Sequence, residues 1–357
     1  MGGRGAGGIE IFVNFAGMNT ILMAALLAAH SPYIARIYEF CPAPGQFLND
    51  VPEVVAPASP VDAAAEQLVG DARPGLISLG AFGGYVVFGF DHPVVNVVGE
   101  ADFRVYGNAV MTNEAQHLGS AEPGVVYVSQ DTNGNGLPDD EWFELEGSEA
   151  ENASRHLTIT YFRPSADHQP VTDSKKSYLV DAEYIAWECS DGTSGWLEKN
   201  REHSQNYWPE WIDSESITFE NVTRLPDNGV DSNGKGTNYI TYFYDWGYAD
   251  NKPLTDPEGF DISHAVDAEG RPVALTHIDF IKVQTGVRQT LGWLGESSTE
   301  VAGAEDLHPD APLPESGLSL PAADDRAPRA IDLRGLPAHP EGRALKRGAR
   351  GTTIIVR

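Results

Sequence analysis

Cysteine is almost absent, with 2 residues in a chain of 357. Two thiols build neither a disulfide-dense scaffold nor a Cys-rich zinc module. Basic side chains are scarce: 24 Lys and Arg stand against 52 Asp and Glu, a formal charge of −28. That excess repels phosphate backbones and anionic headgroups, so it argues against a nucleic-acid partner and an anionic membrane surface. The apolar run at 21–29 falls well short of the ~20 residues that cross a bilayer, and no membrane span is expected. No Gly-x-Ser-x-Gly elbow, His-Glu-x-x-His helix or Gly-Lys-Ser/Thr phosphate loop occurs, so those chemistries lose their local signature. Paired carboxylates for glycoside cleavage stay open, because that pair is formed in space and not along the chain.

The charge is uneven. Residues 321–357 carry eight basic side chains against four acidic ones, whereas the whole chain stands at −28. This break, preceded by Pro- and Ala-rich linker composition, sets off a tail at 308–357. At the other end, residues 1–31 read as a leader whose apolar run fits an export signal, with translation starting at Met18 as one expectation and a buried or amphipathic helix as the alternative. Between them, 32–75 reads as an N-terminal extension containing one helix at 59–69. There Ser59 is placed to cap, Pro60 to open the first turn, Asp62 to face the positive helix end, and Gly70 to stop it. From 76 to 307 the pattern changes to short runs of β-branched and aromatic residues separated by Gly, Asn, Asp and Pro. Strands are predicted at 76–79, 85–90, 103–106, 125–129, 142–145, 157–162, 217–220, 239–244 and 278–283. Stretch 163–216 reads as long loops or an insertion. Many strands without intervening helices predict an all-β, antiparallel jelly-roll β-sandwich with a short N-terminal helix and long loop insertions.

Two constellations suggest binding. In the loop 131–141, oxygen-bearing Asp131, Asn133, Asn135 and Asp139 alternate as calcium ligands do, Gly136 allows the turn, and the Leu137 carbonyl adds an oxygen. The closing position holds Trp142, so Asp140 or Glu141 would complete a Ca²⁺ shell. An Asx-rich hairpin turn is the other reading of this loop. The second constellation is aromatic: Tyr207, Trp208 and Trp211, then Trp246 and Tyr248, beside Pro, Glu and Asp. Exposed, they would stack on a sugar face or a planar ligand; buried, they would fill the core. Cys41 and Cys189 would be free to pair in an exported protein.

Several runs appear together and in order: Tyr38-Glu39-Phe40-Cys41-Pro42, Leu79-Gly80-Ala81-Phe82-Gly83-Gly84, Phe103-Arg104-Val105-Tyr106-Gly107-Asn108-Ala109, Trp246-Gly247-Tyr248-Ala249-Asp250-Asn251 and Gly292-Trp293-Leu294-Gly295-Glu296. Over about 33–307 the chain resembles exported bacterial proteins labelled "cell surface protein", sometimes "PKD domain-containing". More widely it resembles secreted galactose-binding-like jelly rolls. The resemblance implies an extracellular or surface location in a Gram-negative bacterium, a structural calcium, and company with outer-membrane nutrient transporters, including corrinoid uptake. It implies no enzymatic activity. The end of the tail faintly resembles sorting tails of export systems. Together these readings predict a secreted, calcium-binding, carbohydrate-binding protein. Its ligand is a glycan, with a corrinoid-type uptake accessory or a glycan-cleaving hydrolase as alternatives.

Overall fold

The computed structural model describes residues 29–257, 259–314, 344–347 and 352–355. The expected leader over 1–31 and tail over 308–357 lie largely outside them, although a strand at Thr352–Ile355 pairs with Ala344–Arg347. The chain divides into Met1–His30 and Ser31–Arg357, and the fold below is that of the second unit.

The one α-helix of the described residues, Pro60–Leu68, forms for the reasons its sequence gives. The Ser59 hydroxyl accepts from the Asp62 amide at 3.1 Å, and the Asp62 carboxylate accepts from the Ser59 amide at 3.2 Å, closing a capping box. Ala63, Ala64 and Leu68 turn inward, and the chain leaves through Val69 and Gly70.

The central sheet is six-stranded and antiparallel, in the order Arg36–Cys41, Tyr85–Gly89, Phe280–Thr285, Gly124–Ser129, Trp142–Leu145, Ala265–Val266. Its two faces differ, as a period of two requires. Ile37, Val86, Phe88, Val126, Val128, Ile281 and Val283 face the largest core cluster, which also takes Leu68 of the helix and Phe103, Val105 and Phe260. The other face carries Glu39, Val87, Lys282, Tyr127 and Glu144 in one row across five strands. The next row is Cys41, Tyr85, Gln284 and Val125.

A four-stranded sheet, Ser194–Asn200, Leu179–Cys189, Ser154–Phe162, Ser216–Arg224, has its own core of Ile159, Tyr161, Ile185, Leu197, Phe219 and Val222 against Phe82, Tyr207 and Trp208. A second four-stranded sheet holds Gly229–Asp231, Tyr239–Tyr242, Leu118–Ser120 and Val110–Asn113, and a three-stranded one holds Gly259–Phe260, Phe103–Tyr106 and Gly303–Asp306.

These findings correct the jelly-roll expectation. The all-β class with one helix holds, but the strands form four main sheets in a propeller-like ring, not two sheets stacked over one core. The interior is correspondingly divided into four clusters. Three further observations add to the sequence reading. Strand Arg36–Cys41 makes part of 32–75 an edge of the central sheet. Stretch 163–216, read as long loops or an insertion, contains the 11-residue strand Leu179–Cys189. Cys41 and Cys189 are both free thiols. No described helix is long and apolar enough to cross a membrane.

Candidate functional site

The polar face of the central sheet floors a cleft of about 630 Å³, walled by Phe40, Trp142, Trp211, Ile217 and Phe219. The sheet register explains its composition. Lys282 sits mid-row with Val87 on one side and Tyr127 on the other, and Tyr85 lies diagonally one row on. The Lys282 Nζ lies 4.5 Å from the centre of the Tyr127 ring, 5.3 Å from Trp142 and 5.5 Å from Tyr85. Ring faces attract a cation at such distances. Neighbouring carboxylates are engaged elsewhere. Glu39 accepts the Tyr85 hydroxyl at 2.8 Å, and Glu144 takes the Arg155 guanidinium at 2.7 Å and the Thr223 hydroxyl at 2.7 Å. Among the described residues, none comes within ion-pair distance of Nζ. Burial lowers the Lys282 pKa to about 8, with the Glu39 charge opposing. Burial raises the Cys41 thiol and the Tyr85 phenol, so neither ionises near neutrality. The cleft thus pairs flat apolar walls with the Lys282 cation, and the carboxylates Glu39 and Glu220 also belong to its lining.

The predicted aromatic platform is placed differently. Tyr207 is 0 % and Trp208 1 % exposed, and both belong to the core of the four-stranded sheet. The Tyr207 hydroxyl donates to the His203 carbonyl, and the Trp208 indole N–H donates to the Ile212 carbonyl at 3.2 Å. Tyr248 is 2 % exposed, and its hydroxyl accepts from the Glu149 amide at 3.0 Å. These three present no face to solvent, which corrects their assignment as stacking residues. Trp246 is half-buried against His264, at 4.8 Å between rings. Trp211, half-buried beside Phe40, is the one that lines the cleft.

The loop 131–141 is a hairpin connection, with Ser129 paired to Trp142. Asp131 accepts from the amides of Asn135 and Gly136, Asn133 from Asn135, and Asn135 from Leu137. The amide groups of Asn133 and Asn135 donate to Asp139, which holds its carboxyl below the usual range. Glu141 is exposed. Asp140 bonds the Thr132 hydroxyl through one oxygen, and its other oxygen is buried without a partner. Hard oxygens of this kind are what Ca²⁺ takes, but the carboxylates of Asp131, Asp139 and Asp140 do not all come within 4.8 Å of one another. A second loop tempers the argument. Asp231-Ser232-Asn233-Gly234-Lys235-Gly236 makes the same turn: Asp231 accepts from Asn233 and Gly236, and Asn233 from Lys235. An ammonium group there stands in place of the Asn135 amide. The backbone therefore adopts this turn from Asx hydrogen bonds alone, with glycine at positive φ in both loops.

A cluster that sequence reading missed joins Glu122, Asp250 and Glu300, whose oxygens lie within 4.8 Å of one another. Burial, then the neighbouring carboxylates, raises Glu122 well above its ordinary value and Glu300 to about 8; burial raises Asp250 to about 6. Protein donors occupy much of the cluster. Asp250 accepts from the amides of Asn108, Ala109 and Glu300, Glu122 from Ser298, and Glu300 from the Ser298 hydroxyl. It is not part of the cleft's lining, and its hydrogen bonds tie separate chain segments together.

Sequence reading also missed Lys282, Glu39, Tyr85 and Trp142 as a group. They are scattered over more than two hundred positions, and only the sheet order brings them together. Sequence reading also passed over a short repeat, Asp-x-Asn-Gly-x-Gly at 131–136 and again at 231–236. No family of known proteins and no curated protein matches the chain.

Proposed function

We propose that this is a non-enzymatic ligand-binding protein of the bacterial cell surface, and that its ligand is an acidic glycan held in the cleft over Lys282. The observation that carries the reading is the Lys282 ammonium, caged by Tyr85, Tyr127 and Trp142 without a carboxylate partner among the described residues. A sugar face stacks on Trp211 or Trp142, and a carboxylate on the sugar supplies the missing counter-charge. Surface location, export and company with an outer-membrane transporter rest on the resemblance over 33–307. A Ca²⁺ held by 131–141 would stiffen the hairpin beside Trp142, which positions one wall of the cleft.

Calorimetric titration with oligogalacturonate tests the reading. Saturable binding, weakened about tenfold or more by Lys282→Met and lost in Trp211→Ala, supports it. Indifference to oligogalacturonate sinks it. Binding of cyanocobalamin in the same cleft would transfer the proposal to a planar nutrient and an uptake role, and release of new reducing ends would make the protein a hydrolase.

A further inference from the structure

A second, smaller cavity of about 80 Å³ lies among Tyr161, Trp187, Trp196, Leu197, Arg288 and Glu296. Two buried polar atoms in its lining have no hydrogen-bond partner: Nη1 of Arg288 and Oε2 of Glu296. Each is fixed by its other end. Arg288 donates Nη2 to Asp191 at 2.9 Å and lays its guanidinium 4.7 Å from the Trp187 ring centre. Trp187 is itself pressed over Gly195, where an added Cβ would come within 2.7 Å of the ring. Glu296 is 6 % exposed, and its Oε1 accepts from the Gln46 amide at 2.5 Å. Both side chains line the same small space, and leaving both atoms unmade is costly.

We propose that this cavity is a binding subsite for the hydroxyl groups of a neutral sugar. With Glu296 ionised, above its value of about 7, the chemistry selects that class. An anion would satisfy Arg288 but meet Glu296, and a cation would satisfy Glu296 but meet Arg288. A hydroxyl accepts from one and donates to the other. The volume is below the ~300 Å³ of an ordinary small-molecule pocket, so it receives one edge of a sugar ring. Trp196, which lines the cavity and is 43 % exposed, offers a face for the remainder. This site goes beyond the Lys282 cleft, shares no lining residue with it, and stands or falls separately.

Ligand-observed NMR with the methyl α-glycosides of glucose, galactose and mannose, alongside tryptophan fluorescence, tests the assignment. At least one glycoside is expected to bind saturably. Arg288→Gln and the surface variant Trp196→Ala should each weaken it about tenfold, while the cleft variant Trp211→Ala leaves it unchanged. No saturable binding by any of the three overturns the proposal. So does binding that ignores both Arg288→Gln and Trp196→Ala, or a crystal grown with the glycosides in which only ordered waters bridge Nη1 and Oε2.

Discussion

Glu296 makes a sharp prediction about stability, separate from ligand binding. Burial raises its carboxyl from 4.5 to about 7, against the favourable amide of Gln46. A carboxyl raised in the folded state favours folding fully only below its unfolded value. That contribution is lost as the pH climbs from the unfolded value to the folded value, because over that span the unfolded chain has released a proton the native state still holds. At about 1.4 kcal/mol for each pH unit of the gap, the full effect is about 3 kcal/mol, of which about 2 kcal/mol falls between pH 5 and pH 8. Glu296→Gln keeps an oxygen for the Gln46 amide and removes the titration. Urea unfolding at pH 5, 6, 7 and 8 reads the difference. Wild type should lose stability as the pH rises, and the variant should lose about 2 kcal/mol less over that span, ending more stable than wild type at pH 8. Asp102, raised to about 7, and Glu300, raised to about 8, act in the same direction, so some slope persists in the variant. Identical slopes in the two proteins would refute the reasoning.

Two further outcomes follow from the loops and the core. EDTA should lower the melting temperature, and Asn135→Lys, which gives 131–141 the sequence logic of the 231–236 turn, should abolish that response without unfolding the protein; a melting temperature indifferent to EDTA in wild type removes the calcium site. Trp208→Ala should cost ~3–5 kcal/mol of stability as a large core truncation, measured by denaturant unfolding, and a change below 1 kcal/mol would contradict its place in the core.

Local signals were the legible ones. The helix was readable because Ser59, Pro60 and Asp62 act within one turn. The strand at Tyr85–Gly89 was readable because Val86 and Phe88 share a face. The hairpin at 131–141 was readable because its turn is made by neighbouring Asx side chains. Sheet order was not legible, since Phe280–Thr285 enters between strands nearly two hundred and one hundred and fifty residues upstream. Leu179–Cys189 was hidden by Asp181, Glu183 and Glu188, whose charges interrupt the apolar alternation on a sheet with one solvated face. Pro209 and Glu210 made Tyr207 and Trp208 look exposed, yet a Pro and a charge mark only the turn after them, and the two rings point back under the sheet. The cleft was the least legible feature: Glu39, Tyr85, Trp142, Trp211 and Lys282 sit on five separate segments, and none carries a motif.

The division of charge acquires a local meaning in this fold. Against the chain's −28, Lys282 is a cation kept without an ion-pair partner among the described residues, in a place where its neighbours Glu39 and Glu144 are occupied by Tyr85 and Arg155. Keeping it so costs desolvation, which the lowered pKa records.

The most direct test of the account is the affinity for oligogalacturonate measured from pH 6 to pH 10. The account predicts a level affinity below pH 8 and a fall toward tenfold per pH unit above it, as the Lys282 ammonium, with its pKa of about 8, loses its proton while the raised Tyr85 and Tyr127 phenols stay neutral. Lys282→Met should be weak and level throughout. An affinity that is unchanged up to pH 10 in wild type would contradict the claim that this lysine holds the ligand.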